Sequence, residues 1–163
     1  MVNDKKTLCV AIPTFNKHEN IQRKLESEIA VFNKYDIDIY IFDSSSDSLT
    51  EEVIEDYSKK GYSNIFLKKY NNNPSSNEKV YRIFEWAAEA GYEYLWMIHD
   101  HTVCNEEAIV FLMNILKTEK NDFLLLNMQA SDYKTEKFNK INDFLLKGAW
   151  RLNSFGASIV KTD

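Results

Sequence analysis

The sequence predicts a single α/β domain over residues 1–163, a sandwich with a mostly parallel central sheet flanked by helices. Two observations predict it. Short apolar runs closed by turn residues alternate with segments whose apolar residues recur at helical spacing, from the start of the chain onward. No internal repeat or linker interrupts that alternation, which is the pattern of strands joined by helical crossovers. The chain has 163 residues, enough for a real core. A domain of this size removes roughly 70% of its unfolded surface from water.

"TLCVAI" (7–12) is the first strand. Pro13 ends it, because proline lacks a backbone donor and holds Ile12 extended. Residues 16–35 then set Ile21, Leu25, Ile29 and Phe32 on one helical face, with Asn16 and Glu19 spaced as a capping pair. "IDIYIF" (37–42) is the second strand and "DSSSDS" its polar exit. Ser48 and Glu51 read as a capping box for a helix near 50–60, packed through Val53, Ile54 and Tyr57 and stopped by Gly61. "NIFLKK" (64–69) is a third strand and "YNNNPSSN" (70–77) a loop. The next helix turns Val80, Phe84, Ala87 and Ala88 inward and stops at Gly91. "EYLWMI" (93–98) is the fourth strand, and Asn105 caps a helix carrying Ile109, Leu112, Met113 and Leu116. "DFLLLNM" (122–128) is the fifth strand. Residues 132–150 read as helical around Phe138, Ile141 and Leu145, and "SFGASIV" (154–160) as a last strand.

Composition narrows the function classes. Hydrophobic residues are 44% and charged residues 28%, ordinary for a soluble globular protein. The net charge of −5 argues against a nucleic-acid partner, which needs a basic face. The lysine pairs at 5–6, 59–60 and 68–69 read as solvated surface. No apolar run approaches the roughly 18 residues of a membrane span, and the opening apolar stretch is too short for a signal peptide. Cys9 and Cys104 lack metal-ligand spacing, and Cys9 reads as a buried free thiol. The expected setting is the reduced cytoplasm, either free or peripheral at the inner face of the membrane. Only four glycines occur, and neither GxGxxG nor GxxxxGK is present, which counts against Gly-rich phosphate loops.

In an open, mostly parallel sheet, ligands bind beyond the carboxyl ends of the strands. Three polar clusters stand there: "PTFN" after the first strand, "DSSSD" after the second and "HDH" after the fourth. Taken singly, each is an ordinary strand stop, turn or surface triplet. Together, in order and at one edge, they mark a candidate site.

These clusters carry a resemblance. "VAIPTFNKHENI" resembles the opening of inverting family-2 glycosyltransferases. "IYIFDSSSDSLTEE" is similar to their second strand and loop, with Asp43, Ser46 and Thr50 in place. "EAGYEYLWMIHDHTVCNEEAIVFLM" resembles the stretch that carries their DxD motif. The likeness spans nearly the whole chain. It implies a GT-A (Rossmann-like) fold, a nucleotide-diphospho-sugar donor (a UDP-sugar) and a glycan or lipid-linked acceptor, as in polysaccharide biosynthesis. By position, Asp43 matches the carboxylate that accepts the uracil N3–H; an ionised carboxylate is acceptor-only and suits an imide donor. Pro13, Thr14, Phe15 and Ser45 belong to the turns beside the base, although Phe15 reads equally as a core aromatic. Asn16 reads as a helix cap. Where the family has a Gly-rich or Arg-Asn segment near the diphosphate, this chain has "NNNPSSNEKVYR". Lys79 and Arg82 are its nearest cations, either of them also readable as plain surface, and a helix N-terminus near Asn77 adds to them.

The acidic pair of the DxD motif, which holds a divalent cation, is altered. Asp100 remains, between His99 and His101. Strand alternation would send both histidines to one face and Asp100 to the other. Three outcomes stand: Mn²⁺ or a softer ion on Asp100 and His101, in place of Mg²⁺; metal-independent binding through protonated histidine; or a lapsed site. The family's general base is an acidic residue beyond "NSFGASIVKTD", so the expectation is a donor-binding domain lacking the acceptor and base region, with no catalytic residue assigned. Rival readings are a non-catalytic nucleotide-sugar-binding module or pseudo-enzyme, a receiver-like domain phosphorylated on Asp43, and a nucleotidyltransferase. The receiver reading lacks its acidic pair after the first strand, and the nucleotidyltransferase lacks its Gly-rich loop.

Overall fold

The structure, a computed structural model, describes residues 6–102, 104–118, 123–126, 135–138 and 158–162. The elements run β1 (Leu8–Thr14), α1 (His18–Lys34), β2 (Asp38–Asp43), α2 (Leu49–Lys59), β3 (Ile65–Lys69), α3 (Ser76–Ala90), β4 (Tyr94–Met97), α4 (Glu106–Thr118), β5 (Phe123–Leu126), β6 (Thr135–Phe138) and β7 (Ser158–Lys161). They form an α/β fold whose sheet has the order β3-β2-β1-β4-β7-β5-β6. The first four strands are mutually parallel. β7 enters antiparallel between β4 and β5, and β6 closes the far edge antiparallel to β5.

Strand alternation sorts the core into two layers. Leu8, Val10 and Ile12 of β1, Ile39 and Ile41 of β2, and Tyr94 and Trp96 of β4 face one side. There they meet Ile21, Leu25, Ile29 and Phe32 of α1, Ile54 of α2, and Ile109 and Leu112 of α4. The intervening Cys9, Ala11, Phe42, Leu95 and Met97 face the other side and meet Ile83 and Ala87 of α3. Each large side chain so buried contributes about 1.5–3 kcal/mol. The inward stripe of α3 is therefore Ile83 and Ala87, with Val80 and Phe84 half-buried and Ala88 exposed, not the Ala87/Ala88 pair that the sequence suggested.

Several local expectations are corrected. Asn16 does not cap α1: it adopts φ 53°, Lys17 is the N-cap, and no side chain caps that terminus. Asparagine tolerates this left-handed conformation better than most residues. Ser48 is the N-cap of α2, but its hydroxyl donates to Glu52 at 2.8 Å rather than pairing with Glu51. Residues 135–138, expected to be helical, form β6, because the backbone of β5 offers them a partner. The rest of 132–150, with Ile141 and Leu145, and residues 154–157 lie outside the described residues. Gly91 ends α3 at φ 79°, and Asn105 caps α4 by accepting from the Ala108 amide at 2.9 Å, both as expected. Both cysteines are free and buried.

Candidate functional site

Parallel pairing brings the exits of β1, β2 and β4 to one edge of the sheet. Asp43, the last residue of β2, is fully buried there. Its Oδ2 accepts from Lys69 Nζ at 2.8 Å, and its Oδ1 accepts from the Ser45 amide at 2.9 Å and the Ser45 hydroxyl at 2.5 Å. Burial pushes the Asp43 carboxyl up. The Lys69 ammonium and the two Ser45 donors outweigh it and hold the group below the usual carboxylate range. Asp43 is thus a fixed negative charge; both lone pairs of Oδ1 are taken by Ser45, and Oδ2, facing Lys69, keeps a further one. Ser45 Oγ also accepts from the Asn16 amide at 2.7 Å, joining the β1 exit to the β2 exit.

Thr14 is buried and donates from its hydroxyl to Asp100 Oδ2 at 3.3 Å, linking the exits of β1 and β4. Ser44 closes the cluster: its single hydroxyl proton lies within reach of the Thr14 carbonyl at 3.2 Å and of Asn73 Oδ1 at 3.1 Å, and serves one of them at a time. Phe15 is 41% exposed, which removes its reading as a core aromatic. Lys79 Nζ stands 5.3 Å from the centre of its ring, within cation–π range. Burial lowers the Lys79 ammonium, against the pull of the nearby Asp43 charge. Arg82 is differently placed. It pairs with Glu78 one turn back on α3 and lies over the Tyr70 ring.

The "HDH" residues do not continue the strand. β4 stops at Met97, and the Thr102 amide bonds the His99 carbonyl at 3.1 Å, closing a turn. Strand alternation therefore fails: Asp100 Oδ1 and His101 Nδ1 lie 3.1 Å apart instead of on opposite faces. Together they line a pocket of about 130 Å³ with Asn20, Arg23 and Lys24 of α1. The His99 ring stacks on His101 at 5.2 Å and lines a second, largely apolar cavity of about 440 Å³ under α3, beside Pro13 and Met97. Burial, then the neighbouring His101, lowers His99, with Asp100 opposing.

Among the described residues no group of three or more His, Cys, Asp or Glu converges as a metal cage. Asp100 and His101 supply one carboxylate and one imidazole within chelating reach. That mixed donor pair fits a Mn²⁺-like ion completed by phosphate oxygens and water better than it fits Mg²⁺. Asp163 lies outside the described residues.

Pro13, Thr14, Phe15, Asp43, Ser45, Lys79 and the "HDH" turn, singled out from the sequence, all lie at one edge of the sheet. Sequence reasoning missed Lys69, which the strand pairing sets directly beside Asp43. It also missed the buried pair Lys24–Glu28 behind the turn.

Comparison with known proteins bears on the fold and the family. Of the solved structures, S. aureus TarS 1–349 superposes with a TM-score of 0.68 at 18% identity, over 96% of this chain and 47% of that one. The same protein in complex with UDP-GlcNAc gives 0.57 at 19%, over 72% and 33%. The mannosyltransferase PcManGT from Pyrobaculum calidifontis, in complex with GDP-Man and Mn²⁺, gives 0.58 at 13%, over 74% and 35%. These likenesses establish a shared GT-A fold, and the chain spans about a third to a half of the length of those structures. No curated protein matches the chain significantly. The family model for glycosyl transferase family 2 matches residues 9–161, from the second residue of β1 to the last of β7, and the chain belongs to that family.

Proposed function

We propose that residues 1–163 form one nucleotide-sugar-binding domain, which takes part in moving a sugar from a UDP-sugar to a glycan or lipid-linked acceptor with inversion. The observation that carries the reading is the pairing of a buried, ionised Asp43 with an exposed aromatic, Phe15, and a cation, Lys79, at one sheet edge. Asp43 accepts the uracil N3–H on a free lone pair. Phe15 covers the base, and Pro13 and Thr14 shape the turn beneath it. Lys79 meets the diphosphate, while Arg82, further along α3, stays paired with Glu78. Asp100 and His101 would hold the diphosphate's cation, which when bound would supply charge neutralisation at the phosphates. The sugar's departure needs an acceptor hydroxyl and a base in line with it, and no residue is assigned to the base.

Two relatives of the same fold are named as complexes with UDP-GlcNAc and with GDP-Man and Mn²⁺, which supports a nucleotide-sugar donor here. No helix among the described residues is long and apolar enough to cross a membrane. A cytoplasmic setting at the inner membrane face, in polysaccharide biosynthesis, suits such a domain. The test is calorimetric titration of UDP and UDP-sugars in EDTA, Mg²⁺ and Mn²⁺. UDP should bind, with an Mn²⁺-selective gain that His101→Ala abolishes. Failure of every nucleoside diphosphate to bind at millimolar concentration would overturn the proposal. The altered DxD frame also favours a second reading, a binding module without turnover; donor binding with neither transfer nor donor hydrolysis would support it.

A further inference from the structure

The turn bearing His99, Asp100 and His101 is fastened to α1 by a buried ion pair. Lys24 Nζ lies 2.8 Å from Glu28 Oε2, one helical turn on, and the two side chains are 2% and 1% exposed. Both reach beyond their own helix. Lys24 Nζ donates to the Thr102 carbonyl, and Glu28 Oε1 accepts from the Cys104 amide at 2.6 Å. These bonds grip the chain just after His101. Asn20 and Lys24, together with Arg23, line the pocket that also contains Asp100 and His101.

Packing alone does not call for this pair. Its neighbours on the buried side of α1 are Ile21, Leu25 and Ile29, and apolar residues of similar volume commonly replace a buried ion pair without loss of stability. Apolar side chains could not satisfy a carbonyl and an amide in a buried turn, however, and such groups require partners. A charged donor and a charged acceptor also make shorter, more directional bonds than neutral ones. The pair therefore holds the backbone beyond the turn at two points.

We propose that Lys24 and Glu28 are positioning residues, which fix the 99–102 turn so that Asp100 and His101 meet the diphosphate. The inference rests on the nucleotide-sugar reading for its consequence, but not for the tether itself. The test compares the full chain with two double variants. Lys24→Met with Glu28→Leu removes both bonds and both buried charges. Lys24→Gln with Glu28→Gln keeps a donor and an acceptor without charge. The probes are uridine, UDP, and UDP with Mn²⁺, read by calorimetry. NMR reads exchange of the Cys104 amide and the contact between the His99 and His101 rings.

The apolar variant should keep its uridine affinity. It should lose about tenfold in UDP affinity, the equivalent of one hydrogen bond to a charged group. It should also lose protection of the Cys104 amide. The glutamine variant should regain most of both. An unchanged ratio of UDP to uridine affinity in the apolar variant would overturn the proposal. Should that variant fail to fold, the glutamine variant decides alone: UDP affinity near the original supports the tether, and its loss with Cys104 still protected overturns it. Should the original chain bind neither uridine nor UDP, the nucleotide reading falls. The amide exchange and ring contact then judge the tether by themselves, and both being unchanged in the apolar variant would end it.

Discussion

Replacing Asp43 by Asn separates the carboxylate's charge from its shape. Asparagine retains an Oδ1 to accept from Ser45 but puts an NH₂ where Oδ2 now faces Lys69 Nζ at 2.8 Å. Two donors then confront each other. Lys69 is 33% exposed, so its ammonium can turn toward water, and the cost falls between that of a surface pair and that of a fully buried one, about 1–3 kcal/mol. For a chain of this size, each kcal/mol lowers the melting temperature by about 2–4 °C. Binding suffers separately. An imide donor that loses a charged acceptor loses about 1.5–3 kcal/mol, or roughly 10- to 150-fold in Kd. Uridine and UDP should weaken equally, because the contact is to the base. The assay is calorimetry with both ligands beside thermal melts from acid to neutral pH. The folded-state carboxyl is held below its unfolded value, so the folded chain binds fewer protons between the two. The pair's stabilisation is complete above the unfolded pKa near ~3.9 and is lost as pH falls through the folded one. The gap between the original chain and Asp43→Asn should therefore stay flat through neutral pH and narrow only in acid. A variant that shows the stability loss but binds uridine and UDP unchanged would reduce Asp43 to an anchor for the turn.

Phe15→Ala should leave the melting temperature nearly untouched, because the ring is exposed, and should weaken uridine binding by about 1–3 kcal/mol, the worth of one base–aromatic stack. Equal uridine affinity would remove Phe15 from the base site. Lys79→Met should weaken UDP more than uridine, while Arg82→Met, whose guanidinium is already paired with Glu78, should change neither; calorimetry with both ligands distinguishes the two lysine and arginine roles. Burial pushes both Cys9 and Cys104 up to about 12, so neither thiol should react with a thiol reagent at pH 8 in the folded chain, and both should react in denaturant. Fast native labelling of either would contradict the packing around it.

The strands were legible wherever apolar periodicity was strong and local. Residues 7–12, 37–42 and 93–98 each declared a strand, and the two-layer sorting of Val10 against Ala11, or Trp96 against Met97, follows from alternation alone. Pro13 does not stop β1 as the sequence suggested: the strand runs on to Thr14, paired through Pro13 and Thr14 with Phe42 and Asp43 of β2. What stayed hidden depends on partners distant in sequence. "TEKF" (135–138) has no strand signature and owes β6 to the β5 backbone. The insertion of β7 between β4 and β5 is a matter of topology, not of local pattern. Lys69 resembles any edge-strand lysine until the parallel register sets it opposite Asp43. Lys24 and Glu28 have the i, i+4 spacing of an ordinary solvated helix pair; only the docking of the turn after β4 buries them.

The same alternation explains why the candidate site has unlike halves. Thr14, Asp43 and Lys69 follow the parity of Ile12, Ile41 and Leu67, the layer covered by α1 and α2. Asp100 joins that group through Thr14. Its two carboxylates, Asp43 and Asp100, are buried or nearly so and held by hydrogen bonds from Lys69, Ser45 and Thr14. Pro13 follows the parity of Ala11, and the turn after β4 leaves His99 on the same side, beside Met97, in the layer covered by α3, where Phe15 and Lys79 meet. Those groups are half-exposed and held by looser contacts. A nucleotide laid across this edge takes a preorganised acceptor from the α1 side and an adaptable wall from the α3 side. Changes in α3 should therefore alter which diphosphate or sugar is preferred while leaving recognition of the base intact. Changes beneath Asp43 should remove base recognition whatever sugar is attached.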